Sequence, residues 1–444
     1  WFPDLKVKIT IRQLLNHTSG IRDQWQLLAI SGTRIDDVIT QEHIVKILSQ
    51  QKSLNFKPGE KYSYSNSGFT MLAEIVKSVT GQSLRKFSDS AIFKPLGMNN
   101  THFHDDYTGI VKNRSYSYDP QDTIHFKNSI LSYSNAGATS LFTNVTDMSK
   151  WIMNFYRTKV GDQKDIELLT QKGKLNTGKQ LSYALGISTD PYKGWKQYSH
   201  GGGDAGYRTY ITTFPDLKMG FIIFSNVGDL DAGGKTYAIA DLFIKDTTQT
   251  EEAKKKPRDS TAAILKDTLS VKKYVGDYFG EEGLAIGFYL KQSKLYYHIY
   301  GDSNYLIKEP KDTFSIINNA FIKFAFAAKG KDTTVVIVTP DEVYNLKKYI
   351  KDTTQTDNFL KQYTGMYECP ELDCKYGIEL KNHRLVLTNA KYDDAKLTLI
   401  GADDLSNDSW WISHLKVLRN SKKAIIGFEV NNGRIMHLRF NKIR

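Results

Sequence analysis

The sequence predicts an α+β domain over residues 1–244, followed by two small antiparallel β-barrel-like modules at 266–350 and 351–444. Three observations carry this. Helical and strand periodicities are mixed as far as Ile244, and a polar, charged stretch at 245–265 then reads as a linker. Beyond it, short runs of Tyr, Phe, Ile and Val alternate to the end of the chain. The heptapeptide Ile-Lys-Asp-Thr-Thr-Gln-Thr occurs at 244–250 and again at 350–356, and a Tyr-x-Gly-x-Tyr follows each copy (Tyr274 to Tyr278, Tyr363 to Tyr367). That is the signature of two related units in tandem.

Each element has a local reason. Thr10 with Gln13 forms a capping-box pattern, so a helix is expected from Ile11 to His17, with Gly20 as its left-handed stop. Pro58-Gly59 marks a turn. Phe69, Leu72, Ala73, Val76 and Val79 recur at helical spacing until Gly81. Ser83 caps a further helix that runs towards Phe93 and is stopped by Pro95, and Thr146 or Asp147 opens another. Tyr207–Thr213 and Met219–Ser225, separated by Pro215-Asp216, read as a hairpin, and Ala238–Ile244 as a closing helix.

Composition narrows the function. The chain has 444 residues, 40% of them hydrophobic and 24% charged, which excludes wholesale disorder and fibrous repeats. The apolar run Met219–Phe224 falls far short of the roughly 20 residues of a membrane-spanning helix. A net charge of +12 comes without any block of five like charges, so the lysines read as a solvated surface and no nucleic-acid partner is expected. Cys369 and Cys374 are too few for a zinc site; a local disulfide and two free structural thiols both fit. No metal or cofactor motif is present in the sequence. Trp1-Phe2-Pro3-Asp4 reads as the middle of a protein, so the chain is expected to be N-terminally incomplete.

Two segments can carry chemistry. In Tyr64-Ser65-Asn66 a phenol and a carboxamide two apart can face one cleft, the phenol as a base if cations lower its pKa. In His200-Gly201-Gly202-Gly203 the glycines let a substrate approach the backbone, where a bare N–H can meet a developing oxyanion. A third segment, Asn16-His17-Thr18-Ser19-Gly20, sits at a helix stop, and His17 is read as loop-shaping rather than catalytic.

Taken in order, Thr-Ile-Arg-Gln-Leu-Leu-Asn-His-Thr-Ser-Gly-Ile (10–21), Phe-x-Pro-Gly-x-x-Tyr-x-Tyr-Ser-Asn-Ser-Gly-Phe (56–69), Pro-Leu-Gly-Met (95–98), and His-Gly-Gly-Gly (200–203) before Phe-Pro-Asp-Leu (214–217) resemble the serine β-lactamase-related hydrolases of class C type. That family includes penicillin-binding-protein-like D,D-peptidases, D-aminopeptidases and esterases. The resemblance implies a β-lactamase/transpeptidase-like fold, with an antiparallel sheet flanked by helices; the C-terminal modules are similar to appended lipocalin-like domains. It implies that Tyr64 passes a proton to and from a serine, that Asn66 orients a lysine and the substrate amide, and that His200 steers the substrate beside Gly201 and Gly202. The N–H of Gly203 would be half of the oxyanion hole.

The family's Ser-x-x-Lys lies upstream of the Thr-Ile-Arg segment. The strings at Ser49–Lys52, Ser83–Lys86, Ser270–Lys273 and Ser413–Lys416 come in the wrong order, so nucleophile and lysine are expected to be missing from this chain. Two function classes follow: a serine hydrolase of peptide, amide or ester substrates, inert as this chain alone, or a non-catalytic protein that binds peptidoglycan-like peptides. The family implies export to the periplasm or cell surface and cell-wall material as a partner.

Overall fold

The computed structural model describes residues 2–248 and 271–443, apart from 281, 300, 301, 317, 318, 330, 331, 351–354 and 402. The linker reading at 245–265 therefore lies largely outside the described residues, as do the last two residues of the first heptapeptide, four residues of the second and Ser270.

The first region packs helices against a three-stranded antiparallel sheet. Tyr198–Asp204 forms one edge, Tyr207–Phe214 the centre and Met219–Ser225 the other edge. The hairpin is as expected, with a 3-10 turn at Pro215–Leu217. The helix Asn66–Thr80 also matches, closed by Gly81 at φ +70°.

Four expected boundaries differ, each for a local reason. The capping box at Thr10 is present, but the first helix is Ile11–Leu15, because His17 adopts φ +56° and turns the chain before Gly20. Pro95 does not stop its helix. A widened π turn at Asp89–Phe93 accommodates the donor that Pro95 lacks, the turn Lys94–Leu96 follows, and Gly97 at φ +72° ends it. Asn144, not Thr146 or Asp147, caps the helix Val145–Met153, its Oδ1 accepting the Asp147 N–H at 2.8 Å. The closing helix is Ala232–Ala240, capped by Asp231; its Ala-Gly-Gly start shows no apolar period and so hides it in the sequence.

Eight strands between Gly276 and Tyr349 close into an antiparallel barrel, the last pairing with the first at Leu346 opposite Gly280. Nine strands between Gly365 and Lys442 form a nearly closed sheet, first and last meeting at Tyr367 opposite Lys442. The Tyr-x-Gly-x-Tyr repeat has one geometry in both. A 3-10 turn ends at Tyr274 or Tyr363, and the glycine follows at φ +140° or +143°. The second tyrosine then donates its hydroxyl to the first one's carbonyl, at 2.9 Å from Tyr278 and 2.6 Å from Tyr367. Only glycine adopts that backbone easily, and all four rings are buried, so the motif plays the same structural part in each module.

The nine-stranded module is not an appendage. A single apolar core runs from Leu14, Leu27, Ile44 and Met71 of the first region into Tyr376, Leu415 and Phe440. Through that interface passes Arg22, whose side chain is fully buried against Glu371 at 2.8 Å. Its other N–H groups reach Gln51 Oε1 and Ser53 Oγ, each at 2.8 Å, and the carbonyls of Met436 and His437, each at 3.1 Å. Glu371 sits on the turn between the strand that ends at Cys369 and the one that begins at Cys374; the two thiols are free, buried and directly opposite in register. Their mutual hydrogen bond, and then burial, push the Cys374 thiol up. No helix among the described residues is long and apolar enough to cross a membrane.

Changing Glu371→Gln leaves a buried guanidinium without its counter-charge. Loss of a buried partner of this kind costs about 3–5 kcal/mol, so the midpoint of urea unfolding should fall markedly, whereas breaking the exposed Lys381–Asp394 pair should leave that midpoint almost unmoved.

Candidate active site

The site forms where the loop after the first helix, the start of the helix Asn66–Thr80 and the edge strand Tyr198–Asp204 meet. Ser65 is extended at φ −141° and Asn66 is the first helical residue, so the chain turns sharply between Tyr64 and Asn66. Asn66 is held by one atom: Asp23 Oδ2 accepts its backbone N–H at 2.8 Å and its Nδ2 at 2.7 Å. Asp23 is itself fixed as the cap of the helix Gln24–Ile30, its Oδ1 accepting the Trp25 N–H at 3.0 Å. The Oδ1 of Asn66 makes no hydrogen bond among the described residues and is free to accept one.

Tyr64 packs on His17, ring centres 4.1 Å apart, and its ring lies 6.3 Å from that of His200. The guanidinium of Arg434, from the nine-stranded module, stands 4.8 Å over the Tyr64 ring. Burial raises the phenol's pKa and Asp23 adds to that, with Arg434 opposing. Desolvation thus outweighs the cation over the ring, and the hydroxyl is held protonated in this chain.

His17 belongs to the site although the sequence made it a loop former. It is buried, with Tyr62, Tyr64, Phe69 and Tyr183 around its ring. Burial first, then His200 and Arg434, lower its pKa to about 3, so the ring is neutral. Its tautomer follows from its partners. The Ser65 N–H donates to Nδ1 at 3.2 Å, which leaves the proton on Nε2, 3.3 Å from the Tyr183 hydroxyl. That hydroxyl lies 2.9 Å from His200 Nε2, and His200 Nδ1 lies 2.6 Å from the Gly201 carbonyl. The chain of donors therefore runs one way, from Ser65 through His17, Tyr183 and His200 to Gly201. His200 is also kept neutral by burial, and both of its nitrogens are engaged within the protein.

The glycines lie in the edge strand itself, not before it. Ser199 exchanges both of its backbone hydrogen bonds with Ser188, at 2.9 and 3.0 Å, on the side away from the central strand. Strand alternation puts the N–H groups of Gly201 and Gly203 on that same outer side, while Gly202 points to Thr209. All three glycines are exposed. A Cβ on Gly202 would come within 2.4 Å of Thr209 Oγ1, while one on Gly203 would meet nothing closer than 3.7 Å. The N–H of Gly203 thus faces outward from an uncovered stretch of backbone, as an oxyanion donor needs.

The eight-stranded barrel also reaches this cleft. Asp341 accepts the Ser182 N–H at 2.6 Å and its hydroxyl at 2.8 Å, next to Tyr183, and Glu282 pairs with Lys61 at 2.8 Å. Burial pushes the neighbouring Glu342 carboxyl up to about 7.

These features lie in a β-lactamase/transpeptidase-like fold. The profile of the Beta-lactamase family matches residues 3–243, and the chain belongs to that family. It is 26% identical over 317 residues to penicillin-binding protein 4* of Bacillus subtilis, covering 68% of this chain and 69% of that one. To a D-aminopeptidase of Cereibacter sphaeroides it is 27% identical over 220 residues, covering 49% of this chain and only 42% of the enzyme. Among solved structures, the octameric penicillin-binding protein homologue from Pyrococcus abyssi aligns with TM-score 0.48 at 21% identity, over 77% of this chain and 80% of that one.

The buried neutral His17 has a sign that can be checked. Its folded pKa of about 3 lies below the ordinary 6.5, so between those values the unfolded chain binds a proton that the folded chain does not, and stability falls as pH falls. Nitrogen-15 imidazole spectra should show His17 as the Nε2–H tautomer at pH 5, and His17→Asn, which tolerates the left-handed turn, should lose less stability between pH 7 and 5 than wild type. A His17 that titrates near 6.5 would contradict the assignment.

Proposed function

We propose that the chain carries the substrate-binding and proton-transfer half of a serine hydrolase that cleaves amides or esters through an acyl-enzyme. One observation carries the reading: Tyr64 and an Asn66 with a free carbonyl oxygen stand at the helix start, the Tyr64 ring lies 6.3 Å from that of His200, and the N–H of Gly203 faces outward from the same edge strand as His200. A phenol held protonated by burial suits the acid half of the cycle, giving its proton to the leaving amine or alcohol as the acyl-enzyme forms, while the family's lysine would take the proton of the attacking serine. Its return as a base needs added positive charge, which Arg434 and the family's lysine would supply. Asn66 orients the substrate amide, Gly201 and Gly202 leave room for its chain, and the Gly203 N–H takes the developing oxyanion. His200 would hold this edge in place through Gly201 and Tyr183. D,D-peptidase, aminopeptidase and esterase chemistry all fit, as does action on cell-wall peptides in the periplasm or at the cell surface.

We assign the serine and lysine of Ser-x-x-Lys to no residue of this chain. Ser49 bonds the Lys46 carbonyl, Ser83 caps a short helix, and Ser413 bonds Asn432 in the nine-stranded module. Among the described residues no serine hydroxyl hydrogen-bonds Tyr64, Asn66 or His200. That observation favours the second reading, a protein that binds peptides without cleaving them.

The protein expressed from its full coding sequence should take up one fluorophosphonate, seen by intact-mass spectrometry, and Tyr64→Phe should slow labelling by roughly 100-fold or more. No adduct on a folded protein would sink the hydrolase reading and leave the binding one.

A further inference from the structure

We propose that Cys369 and Cys374 are a disulfide-forming pair: a low-molecular-weight disulfide such as oxidised glutathione joins them, and the bond clamps the turn that holds Glu371 against Arg22.

The two cysteines end one strand and begin the next, directly opposite each other. Opposite residues of an antiparallel pair project to the same face, at a separation close to the one a disulfide spans. Here the two thiols already hydrogen-bond each other. They are the chain's only cysteines, so neither has a competing partner within it. Packing alone asks for no more than a small apolar side chain at each place; two thiols in contact add the one reaction such side chains lack.

The turn between them is where the nine-stranded module grips the first region. Glu371 Oε2 accepts Arg22 Nη1 and the Lys52 N–H, each at 2.8 Å, and Leu372 joins the shared apolar core. What holds the turn's own shape is modest: the Leu372 N–H donates to the Cys369 carbonyl at 3.2 Å, and Asp373 takes a left-handed φ of +49°. A covalent bond between residues 369 and 374 removes the open conformations in which Glu371 loses both partners.

The reaction is thiol–disulfide exchange. One cysteine thiolate attacks a sulfur of the reagent and expels a thiolate. The other cysteine thiolate then attacks the protein sulfur of the mixed disulfide and expels the second. The protein gives up two electrons and two protons, and the reagent is reduced to two thiols. Both cysteines are buried, and their mutual hydrogen bond and that burial push Cys374 up, so attack is slow once the hairpin is packed. The bond is therefore made while this hairpin is still open, during folding.

The protein from its full coding sequence is to be reduced, unfolded in urea and refolded in a glutathione redox buffer, then alkylated in denaturant and mapped by peptide mass. The peptide spanning 369–374 should carry no alkyl group and weigh two hydrogens less than its dithiol form. Folded, reduced protein placed in the same buffer should gain the bond far more slowly. Compared with protein kept in dithiothreitol, the oxidised form should unfold at higher urea, and the Lys52 amide should exchange more slowly by on the order of 10-fold. Cys369→Ala should erase both differences between the two buffers; if that variant does not fold, the wild-type comparison decides. Two alkylated cysteines after refolding would overturn the proposal, as would a glutathione adduct that persists on either one. A disulfide that leaves the urea midpoint and the Lys52 amide unmoved would overturn it too, since the bond would then clamp nothing.

Discussion

A fully buried guanidinium sets the terms for this molecule. Arg22 belongs to the loop that shapes the site, yet its counter-charge, Glu371, and two of its carbonyl partners belong to the nine-stranded module. Desolvating such a group is costly unless every donor is met, and the donors are met only when the two regions are docked in one register. The apolar core that runs through the same interface supplies the attraction, and Arg22 supplies the registry. Polar groups buried at an interface are well suited to that second task, because a shift of a few ångströms leaves them unpaired.

From this registry follows the geometry of the cleft. Asp23, next to Arg22, takes the Arg434 carbonyl with its N–H and both nitrogens of Asn66 with its carboxylate. The module that Arg22 fastens is thus the one that sets a cation over Tyr64. On the other wall, His17, Tyr183 and His200 form a neutral relay that ends on Gly201, so the orientation of the glycine strand is coupled to the loop after the first helix. Uncharged histidines suit this use. A protonated imidazole at either position would reverse one donor in the relay and add charge where Arg434 already stands.

Much of the first region was legible in its sequence, because its signals are local. The capping box at Thr10, the helical spacing after Ser67 and the β-branched runs around Pro215 each report on a few residues and were read correctly. Tyr64 and Asn66 also carry a local signal, since their spacing is itself the motif. Where boundaries slipped, the deciding feature was a backbone state not announced by residue type: a histidine in the left-handed region at 17, a π turn that makes room for Pro95. Asp23, Tyr183 and Arg434 were missed for a different reason. Each acts through partners far away in sequence, Arg434 lying 370 positions beyond Tyr64, and nothing in the neighbouring residues marks it. His17 had a signal, its place among the matched residues 10–21, but its position at a helix stop gave a sufficient local explanation.

The central claim is that the first region and the nine-stranded module are one cooperative unit across the cleft. Native-state hydrogen exchange in low denaturant tests it most directly, by following three amides: Asp23, bonded to Arg434; Asn66, bonded to Asp23; and Met436, bonded to Asn55. The account predicts that all three open with the same free energy and the same dependence on denaturant, close to those of global unfolding. Early exchange of Met436 while Asn66 stays protected would show a module that detaches from an intact site, and would contradict it.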